Sequence, residues 1–146
     1  MFTRGVSGSG KIKVAVAVDP VPRAPESTTL ATGAAAEDLA LRWLQQHGLT
    51  LVRRNYRVAR GPGARAGEID LILRDTDGTL VFCEVRARRH AHHGGAAASV
   101  GVAKQRALVY AAQHFLLTLP RLPPCRFDVL AIDGDQVEWL RGAFDA

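Results

Sequence analysis

Cysteine is nearly absent. Only Cys83 and Cys125 occur in 146 residues. They show no C-x-x-C spacing, so neither a zinc knuckle nor a thiol redox motif is indicated. Cys83 lies inside an apolar run and reads as a small buried thiol. Long apolar runs are missing too. None approaches the ~20 residues needed to span a bilayer. The stretch "VAVAV" near the basic residues Arg4, Lys11 and Lys13 is too short for a signal-peptide core. A cytoplasmic protein with no membrane partner is therefore expected. Lysine is scarce, with Lys11, Lys13 and Lys104 set against 16 arginines. Internal repeats are absent, and "GSGK" at 8–11 lacks the first-glycine spacing and the Ser/Thr of a phosphate-binding loop.

What the chain does have is positive charge. The formal net charge is +5 and the sequence pI about 9.9, which suits a polyanionic partner, nucleic acid above all. The plainer alternative is solubility in an arginine-rich composition. The length allows one domain with a real core and not comfortably two. A hydrophobic fraction of 47% and a charged fraction of 23% are ordinary for a globular protein.

Residues 1–29 carry Gly5, Gly8, Gly10, Pro20, Pro22 and Pro25. They read as a flexible extension in which only "KIKVAVAVD" could be a strand. The domain is expected over 30–146. "GAAAEDLALRWLQQHG" places Ala36, Leu39, Ala40, Trp43 and Leu44 at helical spacing, with Gly48 just past its end. "LTLVRRNYRV" alternates as a first strand. "GEIDLILR" and "LVFCEVRAR" follow as a second and third. "VGVAKQRALVYAAQHFLLTL" is a long helix that Ser99 could cap and Pro120 ends. "RFDVLAI" and "QVEWL" are strands four and five around a "DGD" turn. A helix between strands three and four implies a parallel pair there, and the other neighbours are antiparallel. The expected fold class is therefore α/β: a mixed five-stranded sheet with a helix on each face.

The stretch "GEIDLILRDTDGTLVFCEVRAR" sets Glu68, Asp70 and Glu84 where a buried sheet prefers Val or Ile, and an uncompensated charge there costs several kcal/mol. Whether the acids share a face depends on the turn. A two-residue Asp77-Gly78 loop would oppose Asp70 to Val85. A three-residue loop, Thr76-Asp77-Gly78, opposes Asp70 to Glu84 and Glu68 to Arg86, and favours glycine at its last position. With that parity the Asp70 and Glu84 Cβ atoms lie about 5 Å apart. Two carboxylates that close require a proton or a cation between them. Mg²⁺ or Mn²⁺, a hard cation with oxygen ligands, is the natural occupant. The alternative is a structural Glu68–Arg86 ion pair, with Asp70 in water at a strand end.

These segments resemble a known family. "GEIDLI", "VFCEVRAR", "SVGVAKQR" and "RFDVLAI", preceded by "AAAEDLALRWLQQHGL…RNYR" and followed by "RGAF", resemble the YraN-like family of uncharacterised bacterial proteins over about Ala31–Phe144. That family is similar to restriction-endonuclease-like folds, archaeal Holliday junction resolvases in particular. The resemblance implies a three-layer α/β/α nuclease-like domain and a Mg²⁺- or Mn²⁺-dependent endonuclease acting on DNA, branched or damaged DNA included. It implies Asp70 and Glu84 as metal ligands, the Val85 carbonyl as a further one, and Glu37 as a first-helix acid acting directly or through water. Glu68 would supplement them. Where the nuclease pattern has lysine, this chain has Arg86. Arginine matches phosphate oxygens well but cannot take up a proton. The catalytic set implied is Asp70, Glu84 and Arg86. The rival from another class is a non-catalytic nucleic-acid-binding or assembly module on the same scaffold.

Other features bear on partners. Arg53, Arg54, Arg57, Arg60 and Arg65 form a basic run suited to a DNA backbone. Arg88 and Arg89 adjoin His90, His92 and His93 in a glycine-flanked loop, which reads as phosphate-facing, with a zinc cluster as the alternative. Lys104 and Arg106 open the second helix and either touch a phosphate or face solvent. Trp43 and Phe115 read as core residues. Asp128 matches the family without an assigned role. DNA is the expected partner, and the sequence is compatible with a homodimer.

Overall fold

The computed structural model describes residues 33–59, 61–62, 67–87 and 100–146, together with the backbone of residues 15, 16 and 88. Two helices, α1 (Gly33–Gln46) and α2 (Val102–Leu116), and six strands make up the described fold: β1 (Ala15–Val16), β2 (Thr50–Val58), β3 (Gly67–Arg74), β4 (Leu80–Arg88), β5 (Cys125–Asp133) and β6 (Gln136–Phe144). The strands form one sheet in the order β1-β6-β5-β4-β3-β2. Only β4 and β5 run parallel, joined through α2 as the long interstrand helix requires.

The two faces of the sheet are covered separately. On one, Leu39, Ala40, Trp43 and Leu44 of α1 bury against Leu71, Leu73, Val81, Cys83, Leu130 and Trp139. On the other, Leu108, Ala111, Ala112 and Phe115 of α2 bury against Ile69, Ile72, Phe82, Phe127 and Val129. The mixed sheet between two helical layers is the α/β fold expected. Trp43 and Phe115 are core residues as read from spacing. The end of α1 is set by Gly48, whose φ of +95° is the left-handed turn that glycine permits. Its N–H donates to the Gln45 carbonyl and that of Leu49 to the Leu44 carbonyl, closing a Schellman motif.

Three elements differ from expectation. Ala15 and Val16, inside "KIKVAVAVD", pair antiparallel with Leu140 and Trp139 and add a sixth, two-residue strand at the edge. The last strand runs on to Phe144 instead of ending at Leu140. The N-cap of α2 is Gly101, which makes no side-chain capping bond. Ser99, the expected cap, lies outside the described residues.

The β3–β4 turn decides the parity question. The Asp75 N–H donates to the Thr79 carbonyl at 2.9 Å and the Gly78 N–H to the Asp75 carbonyl at 3.0 Å, enclosing Thr76, Asp77 and Gly78, with Gly78 at φ +91°. This is the three-residue loop. The register runs from Arg74 opposite Leu80 to Leu71 opposite Cys83, one step short of Asp70 and Glu84.

Candidate functional site

The backbone ladder between β3 and β4 stops at Leu71–Cys83, and a side chain continues it. Asp70 Oδ2 accepts the Val85 N–H at 2.8 Å. That bond fixes the Asp70 carboxylate across the strand gap, close enough to Glu84 for each acid to perturb the other's charge. Glu84 is 4% exposed, an acid in the centre of the sheet.

Two cations answer it. Lys104 Nζ, from the first turn of α2, lies 3.6 Å from Glu84 Oε2. Arg86 Nε lies 3.7 Å from the same oxygen. The other oxygen, Oε1, is buried and accepts no hydrogen bond from the described residues. Burial first, and then the neighbouring Asp70, push the Glu84 carboxyl from its ordinary 4.5 up to about 7, against the pull of Lys104 and Arg86. Burial likewise raises Asp70, opposed chiefly by the Val85 N–H.

The first-helix acid stands beside this pair. Burial, and then the Asp70 charge, raise the Glu37 carboxyl, while Arg54 acts in the opposite direction. Arg54 Nη2 lies 3.6 Å from Glu37 Oε1, and Arg54 Nη1 donates to Asp38 Oδ1 at 2.9 Å. Among the described residues, no three His, Cys, Asp or Glu side chains converge as a ready-made metal cage. The donors that do meet are two carboxylates, an unsatisfied buried oxygen among them. Such hard oxygen donors fit a divalent cation that completes its shell with backbone carbonyls or water.

Glu68 goes elsewhere. The alternative reading, a Glu68–Arg86 cross-strand pair, is not what the sheet makes, because the β3–β4 ladder ends before it. Glu68 instead opposes Arg57 on β2, with Arg57 Nε 3.4 Å from Glu68 Oε2. Arg53, which is exposed, lies over the Tyr56 ring at 5.2 Å. Arg106 is also exposed. Thus Asp70, Glu84, Val85, Arg86 and Lys104 come together with Glu37 adjacent, while Arg53 and Arg57 lie on the edge strand. The Arg88 side chain, Arg60, Arg65, Arg89 and the three loop histidines fall outside the described residues.

The model of the Uncharacterised protein family UPF0102 matches residues 36–132. This chain belongs to that family. A UPF0102 protein of Acidovorax sp. is 61% identical over 123 residues, covering 84% of this chain and 91% of its own length. One of Methylibium petroleiphilum is 60% identical over 119 residues, covering 82% and 98%. One of Paracidovorax citrulli is 58% identical over 127 residues, covering 87% and 92%. The YraN-like resemblance read from the motifs is to this family. Glu37, Asp70, Glu84, Arg86 and Lys104 all lie within the UPF0102 segment.

The same segment holds a second buried charge that sequence reading left without a role. Asp128, 1% exposed, accepts from Trp139 Nε1 at 2.9 Å, the Gly142 N–H at 2.9 Å and Arg126 Nε at 3.0 Å. Arg126 also reaches Asp75, at 3.0 Å. This network ties β5 to β6 and to the start of the β3–β4 turn. Its signal was present in "RFD": an acid inside an apolar strand with an arginine two residues earlier, on the same face.

Proposed function

We propose that this protein is a metal-dependent nuclease that hydrolyses phosphodiester bonds in DNA, branched or damaged DNA being the substrate class that the resemblance favours. The observation that carries this reading is the Asp70–Glu84 pair: two acids held together in the sheet by a backbone N–H and a helix lysine, with one buried carboxylate oxygen left unsatisfied among the described residues. A structural ion pair does not require a second acid at that place.

Asp70 and Glu84 would hold Mg²⁺ or Mn²⁺, with the Val85 carbonyl as a further oxygen and Glu37 near enough to act directly or through water. A bound ion of this kind polarises a phosphoryl oxygen and lowers the pKa of water. The protein's own contribution is charge and position. Val85 N–H fixes Asp70, and the hydrophobic sheet under Glu84 keeps its carboxylate in a low-dielectric setting where electrostatic attraction is strong. Arg86 presents a planar, permanently charged fork to the oxygens of a phosphate in the transition state. It takes no proton, so proton uptake falls to water or to a carboxylate. The net charge of +5 and the exposed Arg53 and Arg57 suit a DNA backbone.

The test is cleavage of a panel of linear, flapped and branched DNAs with Mg²⁺ and with Mn²⁺. Metal-dependent cleavage that is lost in both Asp70→Asn and Glu84→Gln is expected. The second reading, a DNA-binding module without turnover, draws on the fact that Glu84 already has two cations beside it. Binding across the panel with no cleavage under either metal would favour that module.

A further inference from the structure

Lys104 is the only lysine among the described residues, and it stands in an unusual place. Its position is set by α2's close approach to β3. A Cβ at Gly67 would lie 2.8 Å from the Ala107 carbonyl oxygen and 3.1 Å from the Ala111 Cβ, so the missing side chain lets the helix rest on the strand. Lys104, Ala107 and Ala111 follow one another at i, i+3 and i+7, along one face of the helix. The contact that seats Ala107 and Ala111 on β3 therefore carries Lys104 over the neighbouring acids. Its ammonium attracts both Asp70 and Glu84, and its nearest contact is Glu84 Oε2, the oxygen it shares with Arg86.

We propose that Lys104 is the built-in counter-cation of the Asp70–Glu84 pair. It holds the two carboxylates together when no divalent ion is bound, and it is the positive charge against which such an ion binds. Lys104 therefore sets the ion affinity of the site. This rests on the acid pair being an ion site, and it goes further by assigning the tuning of that site to a residue on another element. Lys104 acts here through Glu84, as a positioning residue. Arg86, on the same strand as Glu84, does not substitute fully, because it pulls on Glu84 whereas Lys104 pulls on both acids.

The experiment is Mn²⁺ calorimetry on the full chain, with the metal-free thermal midpoint measured in parallel, for the wild type, Lys104→Gln and Lys104→Arg. Removing a neighbouring positive charge should tighten Mn²⁺ binding roughly tenfold and lower the metal-free midpoint. Lys104→Arg should restore both. If Lys104→Gln is unfolded without metal, recovery of folding by Mn²⁺ is the same result read as stability, and failure to recover contradicts the proposal. If the wild type binds Mn²⁺ and Lys104→Gln binds it equally or more weakly, the counter-cation role is wrong and the ion site stands. If neither protein binds Mn²⁺, the ion site itself falls, and this role with it.

Discussion

At the scale of single residues, the fold tolerates two buried acids for different reasons. Asp128 is fully answered: an indole N–H, a backbone N–H and a guanidinium use its oxygens. Removing it leaves the Trp139 indole N–H and the Gly142 N–H without their acceptor and Arg126 with Asp75 alone, so Asp128→Ala should cost about 3 kcal/mol, read as a lower urea midpoint with an unchanged slope. A loss below about 1 kcal/mol would show that the network is not needed for stability. Glu84 is answered only in part, and its stability effect has the opposite sign. Its carboxyl is raised from 4.5 to about 7, so the folded state holds a proton that the unfolded chain has released. The contribution of this group to metal-free stability is therefore full below about pH 4.5 and is lost as pH rises through about 7, with a slope of at most about 1.4 kcal/mol per pH unit. The raised Asp70 and Glu37 carboxyls act in the same direction. Glu84→Gln should flatten the decline measured by thermal melts from pH 5 to 8. An unchanged decline would mean that Glu84 is not the group titrating there.

At the scale of elements, what could be read from the chain is what is local. Helix α1 was legible because five apolar residues recur at helical spacing and Gly48 supplies the left-handed stop. The β3–β4 turn was legible only as two alternatives, since Gly78 at positive φ suits an Asp77-Gly78 loop as well as Thr76-Asp77-Gly78, and the three-residue loop is the one that forms. That parity set Asp70 and Glu84 one step beyond the ladder's end, where the two acids perturb each other's charge. The ladder break beside Asp70 was not legible, because a side chain replacing a backbone acceptor leaves no periodic trace. Glu68 therefore found Arg57 on β2 and not Arg86 on β4. Nor was the reach of Lys104 legible, since it depends on how closely α2 sits on β3, a contact between elements far apart in the chain. That closeness gives a prediction. Gly67→Ala places a Cβ 2.8 Å from the Ala107 carbonyl, so α2 must shift. Overpacking of this kind costs about 1–3 kcal/mol, and the shift should also change Mn²⁺ affinity by moving Lys104. Wild-type stability and affinity in Gly67→Ala would mean that the helix seat does not govern the site.

At the scale of the whole molecule, the acid cluster lies over the central strands and the arginines lie along the edge strand β2. Only part of that basic strand is uncommitted within the fold: Arg54 is held by Glu37 and Asp38, and Arg57 leans on Glu68. Replacing Arg53, Arg54 and Arg57 by Ala should weaken DNA binding and reduce the slope of log affinity against log salt. The reduction should be about one to three, at roughly 0.9 per lost phosphate contact, and nearer one if the internal ion pairs persist on DNA. Fluorescence anisotropy across a salt series reads it directly. An identical slope would remove β2 from the DNA surface. The central claim, that Asp70 and Glu84 form a site for a divalent cation, is tested most directly by Mn²⁺ calorimetry on the wild type and Asp70→Asn, with their metal-free thermal midpoints at pH 8. The wild type should bind Mn²⁺ and Asp70→Asn should bind it weakly or not at all. The variant should also melt higher without metal, because an amide oxygen still accepts the Val85 N–H while one of two repelling charges is gone. A wild type that binds no Mn²⁺, with an Asp70→Asn variant that melts lower, would show instead that the two acids serve a structural ion network.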